Sequence, residues 1–204
     1  METEAFTVKK AVFLKSMKRT EDYPNSDLPE IAVAGKSNAG KSSLINYLTN
    51  NSKLSYVSKQ PGKTRLINFF VINDTFLLVD LPGYGFAKVS KAEQYSWGQM
   101  MDSFFATAKN LRSVLILVDI RHKPTNDDLT MIEYCAHYKM PFALIATKAD
   151  KIAKSKRYNY MKTIKNYIEE KTQLSNFKIF PVSSTAKKGK EEIINYIDER
   201  IKTP

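Results

Sequence analysis

The sequence predicts a three-layer α/β fold with a mostly parallel sheet, one antiparallel strand pair and helices on both faces. Apolar runs of strand length alternate with segments of helical periodicity along most of the chain, which is typical of parallel sheets covered by helices. Residues 35–42 fit the pattern G-x-x-x-x-G-K-[ST] between an apolar run and a helical segment, as a phosphate-binding P-loop requires. The apolar runs 66–72 and 75–80 are joined by Asn73-Asp74, a pair suited to the turn of an antiparallel hairpin.

The remaining elements alternate in a regular order. An edge strand is expected around the apolar stretch 11–14, and residues 19–29 have the prolines and small polar side chains of a surface connection. The periodicity predicts strands at 31–34, 113–119, 141–147 and 177–182, and helices from 43 and at 91–109, 127–139, 155–171 and 189–201. We therefore expect residues 1–28 to form the edge strand and its connection, and residues 29–204 to form a single nucleotide-binding domain.

The composition argues against secreted and membrane proteins. A chain of 204 residues can bury a core without disulfides, and its single cysteine, Cys135, is expected to be a buried bystander in a helix. The start of the chain is acidic and lacks a secretory pattern, and apolar runs such as 114–118 are too short to span a bilayer. We expect a cytoplasmic protein that has no membrane partner. The formal charge of +11 suits a polyanionic partner, although a lysine-rich surface also serves solubility.

The P-loop predicts a nucleoside triphosphate ligand. Its backbone N–H groups and the positive end of the following helix are expected to surround phosphates. Lys41 should reach the β- and γ-phosphates, and the Ser42 hydroxyl is placed to ligate the Mg²⁺ that bridges them. The residues expected at the phosphates are Gly35, Lys36, Ser37, Asn38, Ala39, Gly40, Lys41, Ser42 and Ser43.

A second motif, Asp80-Leu81-Pro82-Gly83, follows the apolar strand that contains residues 76–79. Ligands of parallel sheets bind at the carboxyl ends of the strands, where this turn is predicted. Asp80 is expected to hold Mg²⁺ through a water molecule. The backbone N–H of Gly83 can approach the γ-phosphate because no side chain is in the way.

A third motif, Thr147-Lys148-Ala149-Asp150, lies at the end of the predicted strand 141–147. The Asp150 carboxylate can accept hydrogen bonds from guanine N1–H and the exocyclic amine, whereas adenine has no such donor pair. ATP would leave Asp150 buried and unpaired, and the Lys148 stem can lie along the base. A weaker signal is the loop containing Val182, Ser183 and Ser184, where small residues would let a backbone N–H reach guanine O6. Together these motifs predict binding of GTP and GDP.

These segments resemble translation-factor-type GTPases, and most closely the EngB family within the TrmE-Era-EngA-EngB-Septin-like group. The resemblance runs through residues 29–46, 61–64, 80–85, 147–150 and 183–184. It implies a Ras-like G domain and a GTPase needed for large ribosomal subunit assembly, and so for growth and division. It also implies a monomer whose GTP form binds that subunit or its rRNA. Lys36 and Ala39 depart mildly from the family's usual Arg and Val.

The resemblance also implies a switch segment at residues 61–64. Thr64 would contact Mg²⁺ and the γ-phosphate, beside Gly62 and Lys63, in the GTP state only. From the residues alone, Thr64 is simply a hydroxyl before a strand. The candidate catalytic residues are therefore Lys41, Thr64, Gly83 and Asn38.

The residue after Gly83 is Tyr84, where Ras-like enzymes have the glutamine that orients the attacking water. A tyrosine is a poor substitute, so slow hydrolysis is expected. Asn38 matches a P-loop asparagine that helps to bind K⁺ in some such GTPases, but it can equally serve only to shape the loop.

Residues 148–171 hold eight basic and three acidic residues, with tyrosines between them. Cations beside aromatic rings suit single-stranded RNA, and an ordinary amphipathic helix with solvated lysines explains the pattern equally well. The resemblance favours rRNA. Two alternatives stay open, a regulatory GTPase with a protein or DNA effector and, disfavoured by Asp150, a P-loop kinase or ATPase.

Overall fold

A computed structural model of the protein describes residues 6–55, 66–85 and 90–203. It contains a seven-stranded sheet with the strand order β1-β3-β4-β2-β5-β6-β7. The strands are β1 (Ala11–Met17), β2 (Glu30–Gly35), β3 (Ile67–Ile72), β4 (Phe76–Asp80), β5 (Leu111–Asp119), β6 (Phe142–Thr147) and β7 (Lys178–Pro181). The helices are α1 (Lys41–Leu48), α2 (Lys91–Thr107), α3 (Asn126–His137), α4 (Arg157–Thr172) and α5 (Lys190–Lys202). The predicted α/β class and the alternation of strands and helices are confirmed.

Strand β3 runs against both of its neighbours. It is antiparallel to β4, as predicted, and also to the edge strand β1, whereas β4, β2, β5, β6 and β7 are parallel. The edge strand β1 thus adds an antiparallel pairing beside the predicted hairpin, and the sheet is mostly parallel, as predicted. Asn73 and Asp74 turn the hairpin with φ values of +50° and +56°, and Asn73 Oδ1 accepts hydrogen bonds from the N–H groups of Lys9 and Lys10. This contact ties the N-terminal segment to the hairpin.

Apolar residues cover both faces of the sheet. Along β5, alternate side chains enter two separate cores, as the two-residue period of a strand requires. Helices α2, α3 and α4 cover one face, and their core residues include Phe104, Ile132 and Ile168. The other face is covered by α1 and α5 through residues such as Leu44 and Ile193. The molecule thus has the three layers that the sequence predicted.

The parallel strands bring the predicted motifs to one edge of the sheet. Asp80 ends β4 and pairs with Val33 of β2, and Thr147 ends β6 and pairs with Asp119 of β5. Because carboxyl ends of parallel strands lie at the same edge, the loops after β2, β4 and β6 are neighbours. In the described ranges, no helix has the length and apolar character needed to cross a membrane.

Candidate nucleotide-binding site

The P-loop joins β2 to α1 in a tight turn. Asn38 and Gly40 have φ values of +66° and +98°, and α1 begins at Lys41 directly after Gly40. The Ala39 N–H donates to the Lys36 carbonyl at 2.9 Å, which closes the turn. Where residues with left-handed backbone conformation alternate with right-handed ones, successive N–H groups point into a concavity that binds anions. The predicted loop therefore has the conformation of a phosphate cradle at the start of a helix.

Gly83 lies directly beside this loop. A Cβ atom at Gly83 would lie 3.3 Å from the Ser37 hydroxyl oxygen, closer than side chains normally approach. The next residue, Tyr84, accepts a hydrogen bond at its carbonyl from the Ser37 N–H at 2.9 Å. Leu81 and Pro82, between Asp80 and Gly83, are buried. The second motif is thus held against the first, as the sequence predicted.

Lys41 and Asp80 contact each other in a nearly closed environment. The Lys41 ammonium donates a hydrogen bond to Asp80 Oδ1, and the Asp80 side chain is 1% exposed. Burial raises the pKa of Asp80, and the positive charge of Lys41 opposes that shift. The pair is an ion pair whose cation is also the predicted phosphate ligand.

The same corner fits a magnesium ion. Ser42 lies in the first turn of α1, beside Lys41, which contacts Asp80. In the described ranges, no group of three His, Cys, Asp or Glu side chains could hold a metal by itself. Mg²⁺ is typically bound by one or two protein ligands together with phosphate oxygens and water, so Ser42 and Asp80 suit it.

The third motif is linked to the first by a buried hydroxyl. Thr147 Oγ1 lies 2.9 Å from the Ala39 carbonyl and 3.1 Å from the Val118 carbonyl. Lys148 has a φ of +60°, and its ammonium lies 2.9 Å from Asp119. Burial alone would raise the pKa of Asp119, but hydrogen bonds from Arg121 and Lys148 lower it below the usual range. The Lys148 stem is therefore held in place by an acid that the sequence motifs did not include.

Asp150 and the loop after β7 meet at the far side of the site. Ser183 Oγ donates to Asp150 Oδ1 at 2.6 Å, and this hydrogen bond is the main cause of a lowered Asp150 pKa. The Val182 carbonyl accepts from the Ala149 N–H at 3.1 Å, and Ser184 follows in the same loop. Without a nucleotide, Asp150 is exposed. Whether bound ATP would leave it buried and unpaired stays a prediction.

Gly189 is required by the geometry of this loop. It has a φ of +81°, and a Cβ atom there would lie 2.2 Å from the Pro181 carbonyl oxygen. Ser183 and Lys188 exchange two backbone hydrogen bonds of 3.0 Å just before it. Sequence reasoning missed this residue, although a glycine directly before a helix was the available signal.

Tyr84 points away from the phosphate loop. Its ring is 5% exposed and packs edge-on against Trp97, and its hydroxyl donates to Asp128 Oδ1 at 3.0 Å. The other Asp128 oxygen accepts from the N–H and the hydroxyl of Thr125, both at 2.8 Å. Asp128 was also missed, but the spacing T-x-x-D at the start of α3 is a capping-box signal that could have found it.

The predicted switch residues Gly62, Lys63 and Thr64 lie outside the described residues. Cys135 is buried, and burial raises the pKa of its thiol to about 12. It is therefore the buried thiol that was predicted.

The fold and these loops define a P-loop GTPase domain. Residues 30–148 match the family described as 50S ribosome-binding GTPase. Proteins named "Probable GTP-binding protein EngB" from Bacillus thuringiensis (strain Al Hakam) and Bacillus cereus (strain AH187) are each 46% identical over 196 residues, covering 96% of this chain and 98% of their own. The chain belongs to the EngB family of GTP-binding proteins. It binds GTP and GDP and hydrolyses GTP, as this family of P-loop GTPases does.

Solved structures show the same fold at lower identity. A crystal structure of a probable GTP-binding protein EngB superposes with a TM-score of 0.69 at 24% identity, covering 86% of this chain and all of that one. Elongation factor SelB from Methanococcus maripaludis, in complex with the GTP analogue GppNHp, gives a TM-score of 0.61 at 18% identity over 88% of this chain and 35% of SelB. Both similarities support the fold alone.

Proposed function

We propose that the protein is a cytoplasmic, monomeric switch that binds the large ribosomal subunit, or its rRNA, in the GTP form and leaves it in the GDP form. Its role would be in assembly of that subunit, and so in growth and division. The observation that carries the proposal is the meeting of three motifs at one sheet edge in a chain that matches a 50S ribosome-binding family. Residues 29–204 would form the GTP-binding domain, with residues 1–28 as the edge strand and connection.

The phosphate end would hold GTP and magnesium. Mg²⁺, when bound, would neutralise charge on the β- and γ-phosphates. Its protein ligands would be Ser42, Asp80 through a water molecule, and Thr64. Lys41 would leave Asp80 and donate to the phosphates, and the Gly83 N–H would donate to the γ-phosphate. Backbone N–H groups from Gly35 to Ser43 would complete the cradle.

The base end would select guanine. The Asp150 carboxylate is already positioned by Ser183 at 2.6 Å, and Thr147 fixes this loop to the P-loop. Guanine N1–H and its amine would donate to Asp150, and the Lys148 stem would lie along the base. A P-loop kinase or ATPase would need a site that accepts adenine, and adenine lacks the pair of donors that guanine presents to Asp150.

Hydrolysis is expected to be slow because Tyr84 is anchored away from the phosphate loop. Asn38 is exposed and has a left-handed backbone conformation in the P-loop, and it is the candidate K⁺ ligand. We therefore expect GTP turnover to be faster in K⁺ than in Na⁺ at equal ionic strength, and less so in Asn38→Ala. Equal rates in the two salts would mean that Asn38 only shapes the loop.

Co-sedimentation with separated ribosomal subunits tests the proposed partner. The expected result is retention on the large subunit with a non-hydrolysable GTP analogue and release with GDP, at one fixed near-physiological salt concentration. Duplex DNA and an ATP analogue are the controls. Retention that is equal in every nucleotide state, or preference for the duplex DNA, would favour a regulatory GTPase with another effector.

A further inference from the structure

A groove runs between α4 and the connection from β5 to α3, and it holds a cavity of about 210 Å³. Its inner wall includes Ile164, which is 2% exposed. Ile120, which is fully buried, also lines it, and the other lining side chains are polar, basic or aromatic. We call this the α4 groove and define it by Arg121, His122, Lys123, Asn159, Tyr160 and Thr163. The nucleotide-binding motifs contribute none of these residues.

The α4 groove is positively charged. Arg121 already forms two hydrogen bonds with Asp119, of 2.9 and 2.7 Å, so Lys123 supplies the uncompensated charge of this wall. Of the lining residues in the described part of the chain, none carries a carboxylate. Such a groove attracts anions, because its lining has a positive charge and no negative one.

Aromatic rings lie beside these cations. Tyr160 lines the cavity and is 38% exposed. Tyr167 lies two helical turns further along α4, and the Lys123 ammonium is 5.3 Å from its ring centroid. The spacing of seven residues places both rings on the side of α4 that faces residues 121–123. The exposed Tyr160 ring, the hydrogen-bonding side chains and the Lys123 cation therefore lie on one concave surface.

We propose that the α4 groove binds single-stranded RNA, with one base in the cavity against Tyr160 and a neighbouring phosphate on Lys123. An unpaired base can leave its stack, lie on an aromatic ring and use its polar edge, here toward Asn159 and Thr163. Duplex RNA keeps its bases stacked inside the helix. An acidic peptide would satisfy Lys123 but would not use the ring or the cavity. The inference rests on the proposed function, since it names the part of the molecule that would contact rRNA.

Two matched pairs of variants test the groove. Tyr160→Ala removes the ring of the cavity, and Tyr158→Ala removes a ring of the same helix that is 68% exposed and does not line the cavity. Lys123→Ala removes the cation, and Lys53→Ala removes an exposed lysine next to Leu54, which packs on the opposite face of the sheet. GTP affinity is measured for all four variants as a check on folding.

Affinity is measured by fluorescence anisotropy with a labelled single-stranded RNA of mixed sequence, a blunt-ended RNA duplex and a polyglutamate peptide. Tyr160→Ala should weaken single-strand binding about tenfold, the loss expected for one base stack, and Tyr158→Ala by less than about twofold. Lys123→Ala should reduce the slope of log affinity against log salt by about one, and Lys53→Ala should leave it unchanged. The duplex and the peptide should bind more weakly than the single strand.

Equal losses in Tyr160→Ala and Tyr158→Ala would overturn the proposal, as would equal or tighter binding of the duplex or peptide. Co-sedimentation of the wild type and Tyr160→Ala with the large subunit separates this inference from the proposed function. If the wild type is retained and Tyr160→Ala binds both RNA and subunit equally well, only the groove is wrong. If the wild type binds the single strand through Tyr160 but no subunit, the groove stands and the proposed function fails.

Discussion

The central sheet buries two carboxylates at its opposite ends, Asp80 at the carboxyl end of β4 and Glu30 at the amino end of β2. They are 1% and 0% exposed. Asp80 lies against the Lys41 ammonium, whereas one oxygen of Glu30 accepts from the Tyr23 hydroxyl at 2.5 Å. Its other oxygen has no hydrogen-bond partner within the described ranges. Burial raises the pKa of both acids, that of Glu30 to about 7.

Asp80 and Glu30 are equally buried, and they differ in the group that each carboxylate contacts. A buried carboxylate is costly when charged, unless a cation or several donors offset the loss of water. Asp80 has a cation on a flexible stem, and in the proposed function a bound phosphate would compete for that cation. Within the described residues, Glu30 has a neutral donor and no cation beside it, so its charge state depends on pH. One acid is therefore suited to exchange with a ligand, and the other is a structural group.

Removing the cation makes Asp80 resemble Glu30. We expect Lys41→Met to weaken GTP binding by more than about 100-fold, because charge-assisted hydrogen bonds contribute about 1.5–3 kcal/mol each. The free energy of unfolding should also fall by about 3 kcal/mol, because Asp80 loses its partner. Calorimetric titration with GTP and urea unfolding measure the two effects.

The double variant Lys41→Met/Asp80→Asn is the control for this prediction. It should recover most of the lost stability, because no buried charge is left, and should not recover GTP binding. Recovery of GTP binding would show that Lys41 acts only by neutralising Asp80.

Asp150 is an exposed carboxylate at the same edge of the sheet as the buried Asp80. Asp150→Asn should weaken GTP binding about 100-fold, since two hydrogen bonds to a charged acceptor are lost. Binding of xanthosine triphosphate should improve, because xanthine has a carbonyl where guanine has its amine and the new amide can donate to it. Competition between the two nucleotides measures the change. If Asp150→Asn still prefers GTP as strongly as the wild type does, the guanine base does not bind at Asp150.

Glu30→Gln tests the other end of the sheet. The unfolded chain releases this proton near pH 4.5 and the folded chain near pH 7, so the folded state binds more protons between these values. Wild-type stability should therefore fall as pH rises through this window, by up to about 3 kcal/mol. Urea unfolding at several pH values should show a flatter profile for Glu30→Gln. A similar fall in both proteins would assign the pH dependence to another group.

The smallest effect is expected at Tyr84, which is bound to Asp128 at 3.0 Å. Tyr84→Phe should lower the free energy of unfolding by about 1–2 kcal/mol, because Asp128 loses a buried donor. GTP turnover should change by less than about twofold, whereas loss of a catalytic acid or base would cost about 100-fold or more. Trp97, the single tryptophan of the chain, contacts this ring, so its emission reports whether the packing survives.

The fold and the motifs could be predicted because they are local patterns. Strand and helix periods located every element of the sheet, and spacing alone marked Lys41, Asp80 and Asp150. Chain order also placed them at one edge, since parallel strands end together. The second antiparallel pairing needed the position of β1 beside β3, which is a choice between two free edges of a sheet.

Contacts between distant residues could not be predicted. Asp119 lies 29 residues before the lysine that it holds, and Asp128 lies 44 residues after the tyrosine that it anchors. The capping-box spacing marks Asp128 as a helix-capping residue, but nothing in the sequence pairs either acid with its distant partner. The exposure of Asp150 likewise depends on how the loop after β7 packs, which only the folded chain decides.

A crystal structure of the protein with Mg²⁺ and a non-hydrolysable GTP analogue tests the central claim most directly. We predict that the Lys41 ammonium leaves Asp80 for the phosphates, that Asp80 turns toward the metal and that Asp150 binds the guanine edge, with Tyr84 still on Asp128. A Lys41–Asp80 pair that remains intact beside the bound nucleotide would contradict this account.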